Sequence, residues 1–118
     1  MMDDPFTFGP FRFDQTRGIL LLRNTEEIHL GPREAKVLEC LLEHRGRRVS
    51  YEELANAVWG ENKKWPDDFL GALQNMVWRI KEILRKHASD EITRLIQSKP
   101  KFGYWFTLQG ANQWLKSI

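Results

Sequence analysis

From Phe69 to Lys86 the chain places Leu70, Leu73, Val77, Ile80 and Leu84 at steps of three and four, with Phe69, Met76 and Ile83 widening the apolar stripe. The other side of such a helix would carry Gly71, Gln74, Asn75, Trp78, Arg79, Lys81, Glu82 and Arg85, a surface rich in hydrogen-bond donors. Further on, Q-S-K-P-K-F-G-Y-W-F sets Lys99 and Lys101 on either side of Pro100, with three aromatics behind Gly103. Pro100 stiffens this turn, Gly103 is expected to supply the backbone freedom to reverse, and Tyr104 or Phe106 would anchor the hairpin on the core. Donors on one helix face and cations on a stiff turn suit binding to an anion rather than bond-making chemistry.

Other chemistry finds little support. Cys40 is the only cysteine, sits in the apolar V-L-E-C-L-L stretch and reads as a buried structural thiol. His29, His44 and His87 share no ligand-like spacing with it, so neither a metal nor a cofactor is expected. The acidic pairs Glu26-Glu27, Glu52-Glu53 and Asp67-Asp68 point their side chains in different directions and make no acid/base couple. A glycine-rich phosphate loop and a nucleophile with a nearby base in a recognisable motif are both missing, so no enzyme is expected.

With 118 residues and 42% hydrophobic content the chain suits one compact domain. Its net charge of +2 is small but unevenly spread. Residues 1–60 carry 8 Lys and Arg against 10 Asp and Glu (net −2), and residues 61–118 carry 10 against 6 (net +4), so a polyanion should bind the second half. No apolar run approaches the roughly 20 residues of a membrane span, and the start lacks the pattern of a signal peptide, which predicts a cytoplasmic protein without membrane contact.

The elements that must position these residues follow in order. F-T-F-G-P-F-R-F-D, G-I-L-L-L-R and E-I-H-L predict a small antiparallel sheet up to Leu30. Gly31-Pro32 then opens a first helix with Ala35, Val37, Leu38, Leu41 and Leu42 on one side, ending near Gly46. Ser50 and Glu53 form a capping box for a short second helix that stops at Gly60. Glu61 to Pro66 is a loop, Asp67 or Asp68 caps the long third helix, and E-I-T-R-L-I-Q-S predicts a strand that returns as Y-W-F-T-L. Short helix, loop, long helix and terminal hairpin together make a winged helix-turn-helix, an α+β fold.

Three blocks now make a resemblance specific. V-S-Y-E-E-L-A-N-A-V-W-G, V-W-R-I-K-E-I-L and I-Q-S-K-P-K-F-G-Y-W-F resemble, in this order and spacing, those of the OmpR/PhoB-type DNA-binding domain, most of all its ToxR/CadC-like branch. The resemblance implies an N-terminal antiparallel β-sheet of four strands, three helices and a C-terminal β-hairpin wing. It also implies the DNA-binding module of a bacterial-type transcriptional regulator, with the third helix reading double-stranded DNA in the major groove and the wing on phosphates or the minor groove. Carried over by position, Gln74, Asn75, Trp78, Arg79 and Lys81 would form the recognition surface and Ser98, Lys99 and Lys101 the wing. Tyr104 would be the wing tyrosine, and Trp59 would close the second helix near a phosphate. The expected division is a winged-helix domain over 1–108, comprising sheet 1–30, helices 31–88 and wing 92–108, with 109–118 as tail or linker stub.

The chain also departs from the pattern. Where members usually carry R-R-L-R, it has Trp78, Arg79, Ile80 and Lys81, so one cation has become a tryptophan. The loop Glu61 to Pro66 is longer than usual, and it is the segment through which the family touches RNA polymerase. No receiver domain precedes the module, so phosphorylation control is expected to lie outside this chain, or the 118 residues are one piece of a longer polypeptide. A homodimer on DNA fits the same reading. The alternative is a winged helix used for protein interaction or oligomerisation, with Trp78 on its exposed helix face. Arg45, Arg47 and Arg48 read as a solvated helix end, while Trp65, Trp105 and Trp114 fit packing or a partner surface equally well.

Overall fold

The computed structural model describes residues 4–61 and 64–107. Four antiparallel strands come first: β1 (Thr7–Phe8), β2 (Phe11–Asp14), β3 (Ile19–Leu22) and β4 (Glu26–His29), paired in sequence order. Strand alternation decides their inner face, with Phe11 and Phe13 buried and Arg12 exposed between them. Asp14 closes the β2–β3 turn by accepting from the Thr16 and Arg17 N–H groups.

Helix α1 (Pro32–Glu43) buries Val37, Leu38, Leu41 and Leu42 against this sheet and the other helices. It stops at Glu43, earlier than Gly46, where the chain tightens into three-residue turns: the Arg45 N–H donates to the Leu42 carbonyl and the Arg47 N–H to the His44 carbonyl. Cys40 lies in the core, where burial pushes its thiol pKa up to about 11, with Glu43 adding to the effect.

Strand β5 (Arg48–Ser50) leads into α2 (Tyr51–Trp59). Ser50 Oγ accepts from the Glu53 N–H at 3.1 Å and Glu53 Oε1 accepts from the Ser50 N–H at 3.3 Å, which completes the expected capping box. Glu53 also binds Arg47 at 2.8 Å. That hydrogen bond, against the opposing effect of burial, holds the Glu53 carboxyl below its ordinary 4.5, so the contribution is complete above that pH and lost as pH falls. Ser50→Ala should lower stability by about 1 kcal/mol, measured by urea denaturation, because it leaves a first-turn N–H without its side-chain acceptor.

Helix α3 (Phe69–His87) starts at Asp68, whose carboxylate accepts from the Gly71 N–H at 3.2 Å. Leu73, Met76, Val77, Ile80 and Leu84 are buried as the periodicity predicts. Leu70 is the exception: it stays 41% exposed, because its place in the first turn lies at the flank of the stripe. Trp65 folds the preceding loop back, donating its Nε1–H to the Gly60 carbonyl at 3.2 Å and packing on Phe69 at 5.0 Å. Part of that loop, residues 62 and 63, lies outside the described residues, as do Leu108 of the returning strand, the tail 109–118 and Trp114.

The strand expected from Glu91 is not there at its start. A one-turn helix α4 (Asp90–Thr93) precedes β6 (Ile96–Lys99), so the hairpin begins at Ile96 and not at residue 92. Ile92, Leu95 and Ile96 are all buried and stand at steps of three and four, so this short apolar run satisfies helix and strand alike. Asp90 and Glu91 suit a first helical turn. Strand β7 (Gly103–Phe106) lies between β6 and β5 in a second sheet of three strands, so the wing is stitched to the entry of α2 through a strand the sequence reading did not include.

The two sheets meet at Phe106, which is fully buried and meets Phe8 edge-on at 5.0 Å. Arg45 lies over the Phe106 ring at 5.0 Å and donates to the carbonyls of Pro5, Thr7 and Thr107. It therefore ties the first strand and the residue after β7 to the end of α1, which corrects its reading as solvated.

Candidate nucleic-acid interface

About 100° of rotation per residue along α3 puts Gly71, Asn75, Trp78 and Glu82 in the middle of the face turned away from Leu73, Met76, Ile80 and Leu84. Gln74, Asn75, Trp78 and Arg79 are all exposed, and Trp78 reaches 61%. Arg79 and Lys81 lie on opposite flanks. Lys81 is half-buried, and burial followed by the nearby Arg85 charge pushes its ammonium pKa down, so it is the least accessible of the expected recognition residues.

Arg79 is held by a residue the sequence reading did not single out. Glu34, in the first turn of α1, is 7% exposed and takes a hydrogen bond from Arg79 Nη1 at 3.2 Å. Both residues line an open cleft between α1 and α3, together with Pro32, Arg33, Ala72, Asn75 and Met76. A guanidinium has five N–H donors, so one bond to Glu34 orients Arg79 and leaves the rest of its fork for a ligand. In sequence, Glu34 shows only as an acid in a first helical turn, and nothing there links it to a residue 45 positions later.

The wing tip is a tight turn with a conformational oddity. The Phe102 N–H donates to the Lys99 carbonyl at 3.0 Å, with Pro100 and Lys101 between them. Lys101 has φ 66°, the left-handed value that a type II turn requires and glycine usually supplies. The reversal therefore occurs at Lys101. Gly103, expected to provide it, serves another need: a Cβ there would collide with the Val49 carbonyl oxygen and lie 2.9 Å from the Ser50 Cα, so its missing side chain lets β7 approach β5. The Tyr51 N–H donates to the Phe102 carbonyl at 2.9 Å and fixes the tip to the start of α2.

Lys99 lies at the end of β6, half-exposed, and Ser98 and Lys101 are exposed. Tyr104 is not available in the same way. It is 6% exposed, meets Tyr51 edge-on at 5.9 Å, and its phenol pKa is pushed up by burial and by Tyr51. Its ring anchors the wing instead of lining an outer surface. Trp59, at the end of α2, is half-buried against the core.

Comparison with known proteins now adds to this geometry. Residues 25–106 match the family described as "Transcriptional regulatory protein, C terminal". Among curated protein sequences none matches the chain. The DNA-binding domain of E. coli CadC has the same fold, with a TM-score of 0.68 at 20% identity over 85% of this chain and 88% of that one. The C-terminal domain of the nisin resistance regulator NsrR gives 0.64 at 28% identity, over 86% of this chain and 96% of its own. The Klebsiella pneumoniae RstA DNA-binding domain, solved in complex with the RstA box, gives 0.63 at 17% identity over 86% of this chain and 94% of that one. With its four-stranded sheet, helices and terminal hairpin, the chain belongs to the OmpR/PhoB-type family of C-terminal DNA-binding domains of transcriptional regulatory proteins.

Proposed function

We propose that this sequence-specific DNA-binding domain lays α3 in the major groove of a duplex and sets its wing on the flanking backbone or minor groove. The observation that carries the reading is the outward face of α3, where Gln74, Asn75 and Arg79 are all exposed, Asn75 one turn from Arg79 and Gln74 one turn from Trp78. Gln and Asn suit the paired donor and acceptor of adenine, and an oriented Arg suits the two acceptors of guanine. Ser98, Lys99 and Lys101 take the backbone role, since a lysine on a turn needs only a negative oxygen within reach. Trp59 and Lys81 are second to these, because Trp59 packs against the core and burial disfavours the charged form of Lys81. The exposed members of the loop, Glu61, Lys64 and Pro66, are the proposed contact for RNA polymerase, and two copies on adjacent half-sites the proposed assembly.

With roughly three to five phosphates neutralised, log affinity should fall with log salt at a slope of roughly −3 to −4. Changing Lys99 and Lys101 together to Ala should weaken all duplexes alike and flatten that slope by up to about two. Fluorescence titration of short duplexes at several salt concentrations measures both. An affinity indifferent to salt, or no binding at all, contradicts the reading.

A further inference from the structure

Trp78 is an anomaly on the face just described. At 61% it is more exposed than Leu70 (41%) or Phe102 (44%), and it stands at the centre of the outward face of α3, with Gln74, Asn75 and Arg79 around it and Leu70 only at the flank. The core does not use it, and its Nε1–H has no hydrogen-bond partner among the described residues. An apolar protein partner that covered Trp78 would also have to cover Gln74, Asn75 and Arg79, leaving their donors without acceptors. A major groove covers the same four side chains with partners for each. It offers the polar ones base-edge acceptors, and it offers an indole one apolar group, the C5-methyl of thymine.

We infer that Trp78 is a specificity-determining residue that packs on a thymine methyl in the bound site, next to the bases contacted by Asn75 and Arg79. The inference rests on the DNA reading above and adds which base this residue selects. It also gives the small net charge a meaning: part of the affinity comes from an apolar contact that salt does not screen.

The test starts with a duplex recovered from a randomised pool by the wild-type domain. Each thymine is replaced in turn by deoxyuridine, which removes the methyl and nothing else. One replacement should weaken wild-type binding roughly three- to fivefold, the effect of losing one buried methyl worth about 0.8 kcal/mol. Trp78→Ala should bind the thymine duplex weaker by a similar factor and be indifferent to that one replacement, so that the two changes are not additive. Trp78→Leu should keep part of the discrimination. Because the side chain is exposed, both variants should melt like the wild type.

Wild-type binding that ignores every thymine replacement overturns the inference, and so does a uridine penalty that survives in Trp78→Ala. Unchanged duplex affinity with lost self-association in Trp78→Ala assigns the indole to a protein contact and also overturns it. In all three cases the DNA reading stands. Failure to recover any duplex removes that reading and the inference together.

Discussion

Alanine at Gly103 should lower the stability of the domain by about 3 kcal/mol, at the upper end of what one added methyl costs in a packed site. The added Cβ has nowhere to go. It meets the Val49 carbonyl oxygen and the Ser50 Cα, which are backbone atoms of β5 and cannot rotate aside as a side chain would. Gly103 pairs with Ser50 on one side and Lys99 on the other, so moving it away opens the wing sheet at its turn end, on both sides of β7. Ser50 also caps α2, and the loss should spread to that helix. Urea denaturation followed by circular dichroism measures the change, and the same protein should bind duplex DNA at least tenfold more weakly because its lysine-bearing turn is no longer held. A variant as stable as the wild type would mean that β5 and β7 are not paired in this register.

Arg79→Ala should have the second large effect, on specificity more than on stability. A good bidentate contact to guanine is worth about 1–3 kcal/mol of discrimination, so the ratio of specific to random duplex affinity should fall roughly ten- to a hundredfold. Stability should drop by about 1–2 kcal/mol as well, because Glu34 is left nearly buried without its partner. Arg79→Lys should restore part of the stability and little of the specificity, since an ammonium cannot present a planar fork. Glu34→Gln separates the two roles: the amide oxygen can still accept from Arg79, so the fold should hold while the arginine is less firmly placed. If Arg79→Ala left base preference intact and only destabilised the domain, the arginine would be a structural tie between α1 and α3.

Much of this arrangement is legible in the sequence wherever one local rule decides the outcome. Ser50 and Glu53 cap α2 as their spacing requires, and the three-and-four recurrence from Leu73 to Leu84 marks the buried side of α3. Legibility fails where two rules agree or where distant segments decide. The Ile92 to Ile96 run fits helix and strand equally, and the fold resolves it by burying all three of Ile92, Leu95 and Ile96 around a single turn. Strand β5 has three residues and one buried side chain, Val49, too short a pattern to separate from the helix cap that follows. Glu34 and Gly103 owe their importance to atoms 45 residues away in one case and on another strand in the other. The exposed face of α3 was readable as a surface, but which of its members stay accessible was not: Lys81 sinks at its flank while Leu70 is left outside.

The central claim is that the outward side of α3 and the wing tip touch one duplex together. It is tested most directly by titrating the nitrogen-labelled domain with a recovered duplex and following each N–H by nuclear magnetic resonance. Shifts are expected at Gln74, Asn75, Trp78 with its indole N–H, and Arg79, together with Ser98, Lys99, Lys101 and Phe102, while the strands from Thr7 to His29 stay unmoved. Shifts confined to that N-terminal sheet, or a duplex that moves the wing and leaves α3 silent, would contradict it.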